Sequence, residues 1–204
     1  MGPGYDRTAQ TREGQKLMYE YDNPAPDLIG SEKTYLAIGP AWANATNTPF
    51  KYWKMQSYEG GMNTPCIIHW PKGLNAKPGS ITAEPAHVMD IMPTCLELAG
   101  ATYPKQYRGH VILPLEGSSL VGLIKGEKSK RQEEYYFEHA KGRAVRKAGW
   151  KLVAHTDSPE KWELYHIAED LTETRDLAAQ YPEKVEEMQN AWQAWSVRVG
   201  LDAF

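Results

Sequence analysis

The rhythm of apolar and polar positions changes twice along the chain. Up to about residue 50 neither a helical nor a strand period persists. Pro3, Pro24, Pro26, Pro40 and Pro49 recur there among Gly, Asn and Thr. An irregular stretch of this length is uncommon in a compact domain unless it is functional or belongs to a larger body. A short apolar run follows, Cys66-Ile67-Ile68-His69-Trp70, bounded by Pro65 and by Pro71-Lys72-Gly73. It predicts a central strand of a parallel sheet covered on both faces. Val88, Ile91, Met92, Cys95, Leu96 and Ala99 then fall at helical spacing and predict a helix over 88–99, with Gly100 as its stop. Pro93 is tolerated best in a first turn, which moves the expected start towards Asp90. A second short helix is expected over 119–125, ended by Gly126.

From residue 134 onwards the period shortens. Residues 134–138, 143–146, 150–155 and 162–167 read as strands separated by short turns such as Ala140-Lys141-Gly142. Short strands on short turns predict an antiparallel meander. The stretch 182–199 predicts a helix. Pro182 suits its first turn, and Glu183, Glu186 and Glu187 complement its N-terminal end as Arg198 does its C-terminal end. Val185, Met188, Trp192 and Trp195 line one face. The expected organisation is therefore the trailing part of an α/β domain over 1–126, with a long irregular N-terminal segment. It is followed over 127–204 by an α+β subdomain, a small antiparallel sheet packed by a C-terminal helix.

Composition narrows the function classes. Of 204 residues, 41% are hydrophobic and 24% charged, which is globular and not disordered. The 23 basic residues are balanced by 26 acidic ones, and they form no cluster of the kind nucleic acid requires. No apolar run approaches the roughly 18 residues of a membrane span. The N-terminus has no apolar core of a signal peptide, and the compartment stays open between periplasm and cytoplasm. Cys66 and Cys95 are expected as buried thiols, in preference to a disulfide or a zinc site. Seven Trp and 12 Tyr against three Phe suit half-buried surfaces and pockets.

An ordered series of short motifs adds a resemblance. It begins with Gly39-Pro40-Ala41-Trp42-Ala43-Asn44, Asn47-Thr48-Pro49-Phe50, Lys54, Tyr58-Glu59-Gly60-Gly61 and Thr64-Pro65. It continues with His87-Val88-Met89-Asp90, Leu115-Glu116-Gly117-Ser118-Ser119-Leu120, Glu138-His139 and Arg143-Ala144-Val145-Arg146. It ends with Trp150-Lys151-Leu152-Val153, Trp162-Glu163-Leu164-Tyr165, Thr172-Glu173-Thr174 and Asp176-Leu177-Ala178. In this order the series resembles the later half of a bacterial arylsulfatase, a formylglycine-dependent sulfatase with the alkaline-phosphatase-like fold. The resemblance implies hydrolysis of small-molecule sulfate esters, with calcium or a similar divalent ion and a formylglycine in the complete enzyme. Neither cysteine begins a Cys/Ser-x-Pro-x-Arg motif, and Asp22-Asn23 is followed by Pro24 where such enzymes carry Gly. The chain is therefore expected to be a C-terminal part, inactive without a catalytic N-terminal half, and to bind no metal itself.

The resemblance also assigns residues. Spacing alone describes Lys54 as a solvated lysine; the resemblance makes it the catalytic cation that contacts the sulfate group. His139 and Arg143, with Lys141 between them, and Trp53 are candidate substrate contacts, and Trp42 and Tyr52 could line an aromatic rim or pack in a core. The segment departs from its relatives in reading His-Ala-Lys-Gly-Arg. His69 is expected as a strand histidine satisfied locally, His87 as a cap, and Glu59 as an acceptor for amides of its own turn. Two other functions compete. One is an inactive binding module whose exposed apolar strand drives self-association or aggregation. The other is a phosphoester or phosphonate hydrolase of the same superfamily, since a lysine at this place suits either anion.

Overall fold

Four stretches of alternating residues form one antiparallel sheet in the order β5-β6-β7-β8: β5 Glu134–His139, β6 Gly142–Lys147, β7 Trp150–His155 and β8 Ser158–His166. The structure is a computed structural model that describes residues 9–14, 28, 31–36, 39–73, 79–127 and 134–201. The turns of the meander use left-handed residues, Ala140 and Lys141 before β6 and Ala148-Gly149 before β7. Register follows directly: Val145 faces Leu152, Leu152 faces Leu164, and Ala144 faces Val153.

Strand alternation sends these residues to two faces. On one face Val145, Leu152 and Leu164 pack against Met188 and Trp192 of helix α5, Pro182–Arg198. Trp192 also donates its indole N–H to the Phe137 carbonyl at 3.1 Å, which ties the helix to β5. On the other face Ala144, Val153, Tyr165 and Ile167 meet Tyr58, which arrives from the first third of the chain. The 127–204 region thus has the predicted strands and helix to within a few residues.

The first 50 residues are less irregular than their prolines suggest. Strands β1 Ala9–Thr11 and β2 Thr34–Leu36 pair antiparallel, and α1 spans Gly39–Asn47. Asp22-Asn23 lies outside the described residues. Contacts divide the chain into two units, residues 1–63 with 136–204, and residues 64–135. In the first of these, α2 Glu59–Met62 follows Tyr58.

The second unit corrects three expectations. Residues 66–70 form no strand, and Ile67 is 90% exposed. A strand buried on both faces needs ladder partners, and none stands beside it among the described residues. His69 is accordingly exposed rather than a strand histidine. Cys66 and Cys95 are both exposed free thiols, not buried ones. Cys95 lies on α3 Ile91–Leu98, whose apolar stripe, including Ile91 and Met92, is exposed. The buried position of α3 is polar. Thr94 donates to the Asp90 carbonyl at 2.6 Å and accepts the Leu120 N–H at 2.8 Å, ahead of α4 Val121–Ile124. Asp90 in turn accepts the N–H groups of His87 and Ser118, each at 2.8 Å. His87 caps the start of the 3-10 turn Val88–Asp90 through its Nδ1, as expected, and burial holds its imidazole below its usual pKa. A two-residue hairpin pair, β3 Gln106–Tyr107 and β4 His110–Val111, completes this unit.

The helix-side packing sets the stability of the sheet. Leu152→Ala leaves a cavity between β7 and α5 and is expected to cost about 2–5 kcal/mol. Urea unfolding followed by tryptophan fluorescence checks it.

Candidate functional site

The segment of residues 51–62 crosses the sheet face opposite α5 and is fixed to it at both ends. At its start Lys51 Nζ stands 3.2 Å from Glu163 Oε2 and 2.9 Å from the Tyr165 hydroxyl. That same carboxylate oxygen accepts the hydroxyls of Tyr58 at 2.9 Å and Tyr165 at 2.6 Å. Burial opposes ionisation of Glu163, but hydrogen bonds from Tyr165, Tyr58 and Lys51 outweigh it and hold the carboxyl below its usual range. Burial, reinforced by the Glu163 charge, pushes the Tyr58 and Tyr165 phenols far up, so both stay protonated donors.

The far end is held by a fully buried ion cluster. Lys151 lies in β7 between apolar neighbours, with its side chain 0% exposed. Its ammonium is 2.9 Å from Glu59 Oε1 and 2.8 Å from Glu173 Oε1, the second contact an ion pair off the hydrogen-bonding direction. Glu173 Oε2 accepts the Glu59 backbone N–H at 2.8 Å. Glu173 itself adopts a left-handed backbone, φ 56°, in a turn pinned by the Asp170 carboxylate. Two buried carboxylates against one ammonium leave a surplus negative charge, and Glu59 Oε2 has no hydrogen-bond partner among the described residues. Burial pushes the Glu173 carboxyl above its usual pKa, against the pull of Lys151. The expected role of Glu59 as an acceptor within its own turn is thus corrected: its carboxylate reaches across to β7.

Between the two anchors lies Lys54. Its side chain is exposed, with no hydrogen bond or ion pair among the described residues. Tyr52 and Met55 on either side have φ 63° and 84°. Left-handed backbone at such side chains is uncommon and costs energy, and it concentrates at functional sites. The turn rests on Gly60 and Gly61. A Cβ at Gly60 would collide with the Lys51 and Tyr52 carbonyls, and one at Gly61 with the Gln56 carbonyl and, at 2.7 Å, the Trp53 carbonyl. The glycine pair is needed for this close backbone approach rather than for a reversal. Gln56 adds a side-chain tie, its Oε1 accepting the Thr156 hydroxyl at 2.8 Å.

The other candidates are placed differently. Arg143 lies on the helix side of the sheet, its guanidinium 5.0 Å from the ring centroids of both Trp162 and Trp192 and donating to the Pro159 carbonyl. The sheet separates it from Lys54. Desolvation lowers its pKa. His139 ends β5 exposed, two residues beyond Phe137, which packs on the Tyr58 face. Lys141 is exposed in the following turn. Trp53 is half-buried with its ring edge-on to Tyr52 at 5.8 Å, and Tyr52 packs against Tyr58 and His155, so Tyr52 is a packing residue. Trp42 on α1 is exposed. A separate cleft of about 410 Å³ beside Trp150, His166, Arg175 and Tyr181 includes no residue of 51–62. Among the described residues no group of three or more His, Cys, Asp or Glu could hold a metal ion. Among the described residues no helix is long and apolar enough to cross a membrane.

Two expected outcomes follow from the anchors. Lys151→Met strands two buried carboxylates and is expected to cost about 3–5 kcal/mol, while Glu173→Gln, which keeps an acceptor for the Glu59 N–H, costs far less. The pH dependence has a definite sign. A raised Glu173 pKa means the folded state binds the extra proton, so its contribution is full below the ordinary glutamate range and is lost as pH rises through the raised value. Glu163, lowered, acts in the opposite sense, its contribution being lost as pH falls below that range. Urea midpoints measured from about pH 4 to pH 8 check both, and Glu173→Gln should remove the loss on the alkaline side.

Comparison with known proteins agrees with this frame. The sequence profile described as N-sulphoglucosamine sulphohydrolase, C-terminal, matches residues 50–195. An uncharacterised sulfatase of Schizosaccharomyces pombe is 30% identical over 89% of this chain and 33% of its own length. The arylsulfatase of Klebsiella aerogenes is 34% identical over 56% of this chain and 24% of its own. Among solved structures, the crystal structure of Ps i-CgsB superposes with a TM-score of 0.60 at 27% identity, covering 73% of this chain and 32% of that one. A second structure of the same protein is a complex with k-i-k-neocarrahexaose. The chain spans about a third or less of the length of these relatives, which come from a fungus and from a bacterium.

Proposed function

Because the chain belongs to the sulfatases, through the family of N-sulphoglucosamine sulphohydrolase C-terminal regions, we propose that it contributes the anion-binding cation to hydrolysis of a sulfate monoester. The observation that carries this reading is the presentation of Lys54. It is an exposed ammonium with no partner among the described residues, on a strained turn fixed at both ends. A cation held this way is positioned before the substrate arrives. It can bind a sulfate oxygen and stabilise the charge that develops on the leaving oxygen as the ester bond breaks. Rigid placement matters because catalysis rests on interactions stronger in the transition state than in the ground state.

Trp53, beside Lys54, and His139, on the same sheet face as Tyr58, are proposed as substrate contacts; Arg143 acts by holding the helix side of the sheet. The sequence has no Cys/Ser-x-Pro-x-Arg motif for a formylglycine, and no metal-ligand group converges among the described residues. This chain is therefore assigned binding and charge stabilisation, with no step through a calcium ion or a formylglycine. The oligosaccharide complex of Ps i-CgsB makes a sulfated sugar a substrate class to assay beside an aryl sulfate.

In the full-length polypeptide that carries this chain, Lys54→Ala is expected to lower kcat/KM for p-nitrophenyl sulfate by about 100-fold or more, the scale of losing one charge-stabilising donor. Unchanged turnover would sink the role. A second reading, an association module, is favoured by the exposure of Ile67 at 90%, Ile81 at 98% and Leu113 at 85%. On that reading sedimentation of the 204-residue chain should show concentration-dependent association, and a clean monomer would count against it.

A further inference from the structure

The cluster of Lys151, Glu59 and Glu173 lies under the sheet face that carries the Lys54 turn, yet no part of it reaches solvent. All three side chains are at most 1% exposed. A buried ion cluster is weak evidence for stability by itself, since apolar residues of the same volume often serve as well. Its connections are more informative. Glu59 is held twice, its carboxylate by Lys151 and its backbone N–H by Glu173. Glu59 opens α2, and the next two residues are the glycines on which the carbonyls of residues 51–53 and 56 rest. The Gly60 N–H donates to the Lys51 carbonyl at 3.0 Å. An unbroken path of short contacts therefore runs from β7 and the Glu173 turn, through Glu59 and the glycines, to the backbone on either side of Lys54.

We propose that Lys151 and Glu173 are positioning residues, which grip Glu59 from two directions and so fix the backbone that presents Lys54. This rests on the anion-binding reading of Lys54 only for its consequence; the grip itself stands on the contacts. Neither residue touches the anion. The double hold explains why a lysine occupies an apolar strand and why Glu173 is kept in a left-handed conformation. Tyr58 contributes an apolar hold through the core, and Lys51 fixes the other end through Glu163, so the turn between them has little freedom left. Among the described residues, the charged and titratable groups facing this region from the packed elements include Lys51, Tyr52, Tyr58, His155, Glu163 and Tyr165.

The test uses backbone amide NMR on the chain, with Glu173→Ala, Glu173→Gln, Glu59→Ala and Lys54→Ala as variants. Two readouts are taken: hydrogen-exchange protection of the Gly60 amide, and the shift of the Lys54 amide on adding inorganic sulfate at constant ionic strength. Protection of Val145 and Val153 in the sheet serves as the folding control. Glu173→Ala is expected to lower Gly60 protection tenfold or more and to weaken the sulfate response, while the sheet amides keep theirs. Glu173→Gln, which restores an acceptor for the Glu59 N–H, should rescue both. Glu59→Ala, which removes the acceptor for the Lys151 ammonium, should loosen the turn in the same way if Glu173→Ala proves too unstable to measure. Lys54→Ala should abolish the sulfate response and leave Gly60 protection intact. Equal loss of protection in turn and sheet would overturn the positioning role, as would a Gly60 amide that ignores every variant. A wild-type chain with no sulfate shift at Lys54, but with the protection changes present, would overturn the anion reading and leave the grip standing.

Discussion

A lysine with no access to water organises this structure. Burying an ammonium is costly unless it is paired and hydrogen-bonded, so Lys151 in the middle of β7 requires carboxylates brought to it from elsewhere. They come from two sequence-distant turns, Glu59 from one side and Glu173 from the other. Each must approach within hydrogen-bonding distance, and each brings its segment along. The first segment carries the exposed Lys54 and the second wraps the outer side of β8. Apolar packing of α5 on the far face would hold the sheet together without any of this. What the ion cluster adds is a fixed location for a loop that apolar contacts alone would leave free to slide.

The glycine pair shows how tightly that location is specified. Gly60 and Gly61 have no left-handed backbone to accommodate, and a residue with a side chain would be conformationally acceptable there. They are glycine because four backbone carbonyls sit where a Cβ would be. The left-handed Tyr52 and Met55 are the other half of the same arrangement, the chain bending sharply to lay those carbonyls down. Strain of this kind persists only when surrounding contacts over-determine the conformation. Here the Tyr58 core contact, the Lys51–Glu163 pair and the buried cluster all bear on a segment of a dozen residues.

Much of the second half of the chain was legible in the sequence, because its alternation and its turns agree with one another. Strands β5 to β8 and helix α5 form where local pattern, glycine placement and helix-end charges coincide. The first half was harder for physical reasons. Helix α1 is short, carries no apolar stripe, and contains Asn and Thr, so its period is faint. Residues 66–70 have the composition of a buried strand but no ladder partner among the described residues, and composition cannot reveal that. Lys54 stood out through family resemblance rather than through spacing. Lys151 and Glu173 lie within the ordered motifs, but neither spacing nor resemblance gives them a role. A lysine flanked by Trp150, Leu152 and Val153 in a strand was the available signal that a buried counter-charge had to exist, and the Glu of Thr172-Glu173-Thr174 was the unassigned candidate. Arg143 illustrates the converse: an arginine near a hairpin tip reads as exposed, whereas alternation turns it towards two tryptophans.

Strand β8 has a further consequence for how this sheet meets other molecules. An outermost strand is a ready template for another chain. Here its first half carries Pro159, Glu160 and Lys161, with both charges exposed. Its second half is already occupied: the Leu164 N–H donates to Asp176 Oδ1 at 3.0 Å, and the Leu164 carbonyl accepts the Leu177 N–H at 2.8 Å. The turn that delivers Glu173 to the interior thus closes off the outer backbone of β8 a few residues later. One excursion of the chain brings a carboxyl to the buried Lys151 and closes the second half of this edge of the sheet to strand addition.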